Sequence, residues 1–304
     1  MAFLQYELWK DCSNNCKYCF NRNIKPVRNK VESLTYVLNS LREKNLEPGS
    51  SVGFIGGEFF GGQLENPKVK KLFYEVIDLA MCKIHTNPPG RFLITAALMS
   101  DDPSDWFEFC EHIHKYNLDE HVLLCTSWDA KYRFTEKTRQ HWEQTVLETQ
   151  KRYPKMKFHV EMILTEYLIN GILDDTFSLR EFENKWNCRV DLNIPYLPWF
   201  HERGEDKETF SKRLPLFFPK RKTFLRLLME KPNSINLAGI SDCRFHSSEL
   251  HYTLDDKNWI ILPERHKMGT TCTNLRACAN CCGYIDSEIK IQDDIKTYLK
   301  SCML

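Results

Sequence analysis

Ser51-Val52-Gly53-Phe54-Ile55-Gly56-Gly57-Glu58, followed beyond Pro67 by Val69, Leu72, Phe73, Val76, Ile77, Ala80 and Met81, reads as one complete strand-to-helix unit. The short apolar run closed by two glycines has the length and punctuation of a buried strand. The later apolar residues recur at i, i+3, i+4 and i+7 behind a proline suited to a helix's first turn. Working outward, the same alternation recurs. Candidate strands are 3–9, 51–55, 91–98, 121–127, 157–165 and 189–195, and Leu34, Val37, Leu38 and Leu41 mark another amphipathic helix. Ser178 is placed to cap a helix carrying Phe182 and Trp186. Parallel neighbours need crossover helices, so six such units predict an α/β fold around a parallel sheet. Active groups are then expected at the C-terminal ends of the strands.

Directly after the first strand lies Asp11-Cys12-Ser13-Asn14-Asn15-Cys16-Lys17-Tyr18-Cys19-Phe20. The C-x3-C-x2-C spacing lets one short loop present three thiolates to an iron-sulfur cluster and leave one iron without a protein ligand. A metal centre lacking one protein ligand reserves that position for substrate or cofactor. The competing readings are a zinc site completed by a distant ligand and three unrelated buried thiols. Gly56-Gly57-Glu58 falls at the end of the second strand, where glycines allow close backbone approach and a carboxylate can accept hydrogen bonds from an ammonium group.

With these two motifs in this order, the sequence resembles the radical S-adenosylmethionine (SAM) enzymes. Their cluster motif places an aromatic residue before the third cysteine, here Tyr18, and their Gly-Gly-Glu follows the second barrel strand. The resemblance implies a partial (β/α)6 barrel, a [4Fe-4S] cluster on Cys12, Cys16 and Cys19, and SAM on the open iron. It further implies that Gly56, Gly57 and Glu58 hold the SAM amine and that Tyr18 lies beside the adenine. Ser127-Trp128-Asp129 and the later Arg133 resemble the fourth-strand Ser-x-Asp of the peptide-processing members, which would set Ser127 on the ribose and Arg133 on the carboxylate. Phe59 stands where the family commonly has Pro, and Thr95-Ala96-Ala97-Leu98-Met99 where Thr-Asn-Gly is usual.

Residues two apart on a strand share a face. If Ser127 points inward, Cys125 does as well, and an interior thiol near the radical is a candidate catalytic hydrogen-atom donor; the plainer reading is a packed thiol. Beyond Pro232 the alternation stops. Cys243 precedes a hairpin-like stretch, Tyr252 to Ile261, with an Asp/Asn-rich turn, and Cys272, Cys278, Cys281 and Cys282 follow. The cluster of cysteines reads as a metal site, and its order resembles a shortened twitch or SPASM extension. That resemblance implies a second [4Fe-4S] cluster on Cys243, Cys272, Cys278 and either Cys281 or Cys282; zinc is the alternative occupant, with His246, His251 and His266 as further ligands. The expected organisation is a barrel over 1–195, a connecting segment over 196–232 and a Cys-rich domain over 233–304.

The chain has 304 residues, 42% hydrophobic and 27% charged, with a formal net charge of +1. That balance gives no global reason to expect a polyanion. No run reaches the ~20 apolar residues of a membrane span, and no signal peptide precedes the first strand. Thiol-ligated clusters and abundant Cys point to the reducing cytoplasm. Two basic runs, Arg22 to Lys30 and Lys212 to Arg226, read as solvated surface or, for the first, as a contact for an anionic substrate.

The resemblance implies reductive cleavage of SAM to a 5'-deoxyadenosyl radical, driven by a flavodoxin- or ferredoxin-like one-electron reductase, with hydrogen abstraction from a peptide or protein side chain. Against the peptide reading, no leader-recognition segment is expected before Cys12, and any such module would have to be separate. The alternatives are radical modification of a nucleotide or nucleobase, and a non-catalytic zinc module. Substrate, product, oligomeric state and the fate of SAM, consumed or regenerated, are not encoded legibly.

Overall fold

The structure is a computed structural model; it describes residues 3–9, 11–12, 14, 29–129, 131–163, 165–193, 223, 226–227, 230, 250–254 and 259–262. Among the described residues, five strand-helix units, the fifth with two helices, lead to a sixth strand. They are β1 (Phe3–Glu7), α1 (Lys30–Glu43), β2 (Ser51–Ile55), α2 (Pro67–Ile84), β3 (Phe92–Thr95), α3 (Ser104–His114), β4 (Val122–Trp128), α4 (Glu136–Arg152), β5 (Lys157–Ile163), α5 (Glu166–Leu173), α6 (Leu179–Trp186) and β6 (Cys188–Asn193). A hairpin of β7 (Leu250–Leu254) and β8 (Trp259–Leu262) comes later.

The sheet runs β6-β5-β4-β3-β2-β1-β7-β8. Every pairing from β1 to β6 is parallel and between consecutive strands, and β6 does not return to β1. This is the order of an incomplete (β/α)6 barrel, as expected. The hairpin foreseen around 252–261 is antiparallel, with Tyr252 opposite Ile261, and β7 adds to the β1 edge in parallel, so the hairpin continues the main sheet.

Local sequence chemistry sets the helix ends. Asn66 accepts from the Lys68 and Val69 amides with Pro67 at the first helical position, and Thr135 forms a capping box with Thr138. Ser178 caps α6 by accepting from the Glu181 amide, as read from the sequence. The apolar stripe of α2 is buried at Val69, Phe73, Val76, Ile77, Ala80, Met81 and Ile84. Full burial of each Val, Ile or Phe contributes about 1.5–3 kcal/mol.

The two faces of the sheet differ in chemistry. Towards the helices, Leu4, Tyr6, Phe54, Ile94, Leu124 and Val160 belong to one apolar core. The indole N–H of Trp142 on α4 donates to Thr126 Oγ1 at 3.0 Å, so Thr126 faces the helices and its neighbours Cys125 and Ser127 face inward. On that inner face Thr95, Ser127, His159 and Glu161 are only partly buried.

β3 is shorter than the 91–98 foreseen. Past Thr95 the Ala97 amide turns to the Glu58 carboxylate, and Leu98 takes a left-handed φ of 56°. Non-glycine residues pay strain in that region, and such strain concentrates at functional sites.

Candidate active site

The end of β1 and the end of β2 are stitched together by backbone. Leu8 N donates to Ile55 O at 3.0 Å, Gly57 N to Trp9 O at 2.7 Å and Glu58 N to Asp11 O at 3.0 Å. The Trp9 indole closes the seam by donating to Glu58 O at 2.8 Å. Gly56 makes this possible. Its φ is +151°, and a Cβ there would overlap the Trp9 carbonyl oxygen. Gly56 therefore acts by letting Trp9 and Asp11, which lead into the cysteine-bearing stretch, lie against the Gly-Gly-Glu turn, and the Gly57 amide is committed to Trp9.

Glu58 is 6% exposed. Its Oε1 accepts from the Phe59 amide at 3.0 Å and the Phe60 amide at 3.2 Å. Oε2 accepts from the Ala97 amide at 2.8 Å and from Asn14 Nδ2 at 3.2 Å. Burial pushes the carboxyl above its usual range. The amides of Phe60 and Ala97, the Arg133 charge and the Phe59 amide pull the other way. Three of the four donors are backbone; Asn14 is the movable one. It lies between Cys12 and Cys16, so the Cys-rich loop itself reaches the carboxylate.

The departure at Phe59 now has a physical meaning. Proline there has no N–H to give Glu58. Phe59 and Phe60 are also buried, with Phe59 edge-on to Trp9 at 5.0 Å and Phe60 edge-on to Trp106 at 5.1 Å, which pins the turn to the core.

Beside Glu58 opens a cavity of about 290 Å³, walled also by Asn14, Gly61, Ser100, Lys137 and His141. A buried carboxylate in its lining suits the ammonium of an amino-acid-like ligand. Arg133, whose charge is felt at Glu58, belongs to the same neighbourhood. The turn that carries Arg133 is organised by Asp129, 5% exposed, whose Oδ1 accepts from the amides of Lys131 at 2.7 Å and Tyr132.

No protein-family model matches the chain, and the comparison with curated proteins returns no match. Solved structures do match. Native anSMEcpe with bound AdoMet is 18% identical with a TM-score of 0.48, over 75% of this chain and 58% of that one. Native anSMEcpe with bound AdoMet and Cp18Cys peptide is 15% identical with a TM-score of 0.47, over 75% and 57%. Streptococcus suis SuiB bound to precursor peptide SuiA is 12% identical with a TM-score of 0.43, over 89% and 61%. The chain thus spans about three-fifths of these structures' length.

Of the residues singled out from sequence, Cys12, Gly56, Gly57, Glu58, Cys125, Ser127 and Arg133 are described. Cys12 is exposed in the loop after β1. Gly56, Gly57 and Glu58 form the seam just described. Ser127 sits inward on β4 with Glu161 of β5 as its register neighbour, and Cys125 has His159. Tyr18, Cys16, Cys19, Cys243, Cys272, Cys278, Cys281 and Cys282 lie outside the described residues. Lys30, from the first basic run, is half-buried and donates to Gln63 Oε1 at 2.6 Å; its burial depresses its pKa, against the pull of Asp11.

Sequence reading missed Asn14, Trp9 and Asp129. Their partners lie far along the chain or at a turn, and only Asp129 left a signal, as the third residue of the Ser-x-Asp it closes. It also passed over the polar inner face of β5, although Lys157, His159 and Glu161 alternate with Phe158, Val160 and Met162.

Proposed function

We propose that this chain is a radical SAM enzyme that abstracts hydrogen from a peptide or protein side chain. The observation that carries the reading is the seam: Trp9 and Asp11, which lead into the C-x3-C-x2-C stretch, accept from the Gly57 and Glu58 amides, and Asn14 within that stretch is hydrogen-bonded to a buried carboxylate that lines a cavity. Cys12, Cys16 and Cys19 hold the [4Fe-4S] cluster, Glu58 and Arg133 hold the amino-acid end of SAM, Tyr18 lies by the adenine and Ser127 by the ribose. The cysteines Cys243, Cys272, Cys278 and Cys281 or Cys282 hold a second cluster in the Cys-rich segment over 233–304. A flavodoxin- or ferredoxin-like reductase in the cytoplasm is the partner.

When bound, the cluster and SAM together supply the electron and the 5'-deoxyadenosyl radical that removes hydrogen from substrate. The protein's part is orientation and exclusion of water. Glu58 accepts from the incoming ammonium on the side now held by the Asn14 side chain, because its other donors are fixed backbone amides. That buried charge pair strengthens as water leaves. Among the described residues no helix is long and apolar enough to cross a membrane.

The substrate class is tested by anaerobic incubation with SAM and dithionite, with candidate peptides or with nucleotides, scoring 5'-deoxyadenosine. Stimulation by peptides supports the reading; stimulation by nucleotides alone replaces the substrate class, and no 5'-deoxyadenosine under any condition removes the enzyme.

A further inference from the structure

We propose that Asn14 is a built-in competitor for the ammonium of SAM: its side-chain amide occupies the one exchangeable acceptor position on Glu58, so that removing it tightens SAM binding instead of weakening it. This rests on the radical SAM reading above, in which Glu58 receives that ammonium.

An ionised carboxylate has two oxygens and about four acceptor positions. On Glu58 all four are taken. The Phe59 and Phe60 amides lie 3.0 and 3.2 Å from Oε1, and the Ala97 amide and Asn14 Nδ2 lie 2.8 and 3.2 Å from Oε2. A fifth donor has to displace one of these. Three of them are backbone: Phe59 and Phe60 are anchored by buried rings, and Ala97 is buried beside Leu98, which is already held at a φ of 56°. Moving any of those amides means moving packed core. Asn14 is half-buried, and a side-chain rotation releases it.

The surroundings make that release cheap. Glu58 and Asn14 line the same cavity of about 290 Å³, and Ser100, Lys137 and His141 line it too, so the freed amide turns into polar space. The chain leading into the cysteine stretch stays docked without it, because Trp9 O and Asp11 O accept from the Gly57 and Glu58 amides.

With no ligand bound, Asn14 keeps a buried acceptor from standing unpaired, which would be costly. With SAM arriving, the same amide is in the way. A hydrogen bond to a charged group favours the occupied arrangement by roughly tenfold. A ligand that binds only the vacated arrangement then shows a dissociation constant about tenfold above its intrinsic value. The coupling is reciprocal, so bound SAM loosens Asn14 from the carboxylate by the same factor.

The test uses the anaerobically reconstituted full chain as wild type, N14A, N14D, E58Q and the double variant N14A/E58Q, matched for iron content. Aspartate keeps the side chain's shape and has no N–H to give. SAM is titrated by calorimetry without reductant, so nothing turns over. The expected result is a dissociation constant lower by about threefold to tenfold in both N14A and N14D. A fall of less than about threefold in both, or weaker binding, overturns the proposal, and so does loss of iron in both variants, which would make Asn14 a loop-building residue. The double-mutant comparison separates competition from a loosened loop. In the E58Q background the gain from N14A is expected to vanish, because the charge for which both donors compete is gone; a gain of equal size there overturns the proposal. Wild type that carries iron and does not bind SAM overturns instead the reading on which the proposal rests.

Discussion

Gly56→Ala tests the seam between the cysteine loop and the carboxylate turn. The wild-type φ of +151° is a conformation that side-chain-bearing residues rarely adopt, and the added Cβ would run into the Trp9 carbonyl oxygen, which is backbone and cannot rotate away. Strain of that kind costs about 1–3 kcal/mol. Moving Trp9 to relieve the overlap gives up the Gly57 N to Trp9 O bond of 2.7 Å and the buried indole bond to Glu58 O of 2.8 Å. Leaving such buried groups unpaired adds about 1–3 kcal/mol. The expected loss is therefore about 2–6 kcal/mol, a large part of the usual 5–15 kcal/mol of a folded domain. Urea denaturation of the cofactor-free protein gives the number from the midpoint at unchanged slope. Gly57→Ala, at a residue without positive φ, is the control and should cost less. A loss below about 0.5 kcal/mol for Gly56→Ala, the level of an ordinary surface change, would refute the argument.

Glu58→Gln should weaken SAM binding by calorimetry about 10–100-fold, the worth of a charge-assisted hydrogen bond; a change under threefold would argue against Glu58 as the amine's acceptor. The pH dependence follows from the same residue. Its folded-state pKa is raised by burial, so the folded protein holds the proton more tightly than the unfolded chain. The resulting stabilisation is complete below the ordinary value of 4.5 and is lost as pH rises through the folded-state value; Glu58→Gln should flatten that slope in urea titrations at successive pH values. Asp129→Ala removes the acceptor for the Lys131 and Tyr132 amides. It should raise the SAM dissociation constant with iron content intact, and a parallel loss of iron would contradict its assignment to the Arg133 turn. Thr149→Val orphans the buried Trp106 indole N–H, now 2.8 Å from Thr149 Oγ1, and should cost about 1–3 kcal/mol in thermal unfolding without altering SAM affinity.

Local patterning made the architecture readable. Ser51–Ile55 was delimited to the residue because Gly56 and Gly57 end it, and the α2 stripe because its period and Pro67 agree. β3 was overextended because nothing in Ala96-Ala97-Leu98 announces that the Ala97 amide serves Glu58; the reason lies on another strand. The site divides in the same way. Cysteine spacing and Gly-Gly-Glu are contiguous and could be read, whereas the Asn14 to Glu58 contact spans 44 residues of sequence. The inner-face row of Cys125 and His159 depends on inter-strand register, which a single strand's alternation does not specify.

The central claim is that three thiolates of the loop after β1 carry a cluster at which SAM is split. Anaerobic reconstitution with iron and sulfide, then single-turnover incubation with dithionite and SAM, tests it directly. The account predicts brown protein that releases methionine and 5'-deoxyadenosine in equal amounts, and loss of both products when Cys12, Cys16 and Cys19 are changed together to Ala. Colourless, zinc-loaded protein, or product formation that survives the triple substitution, would contradict it.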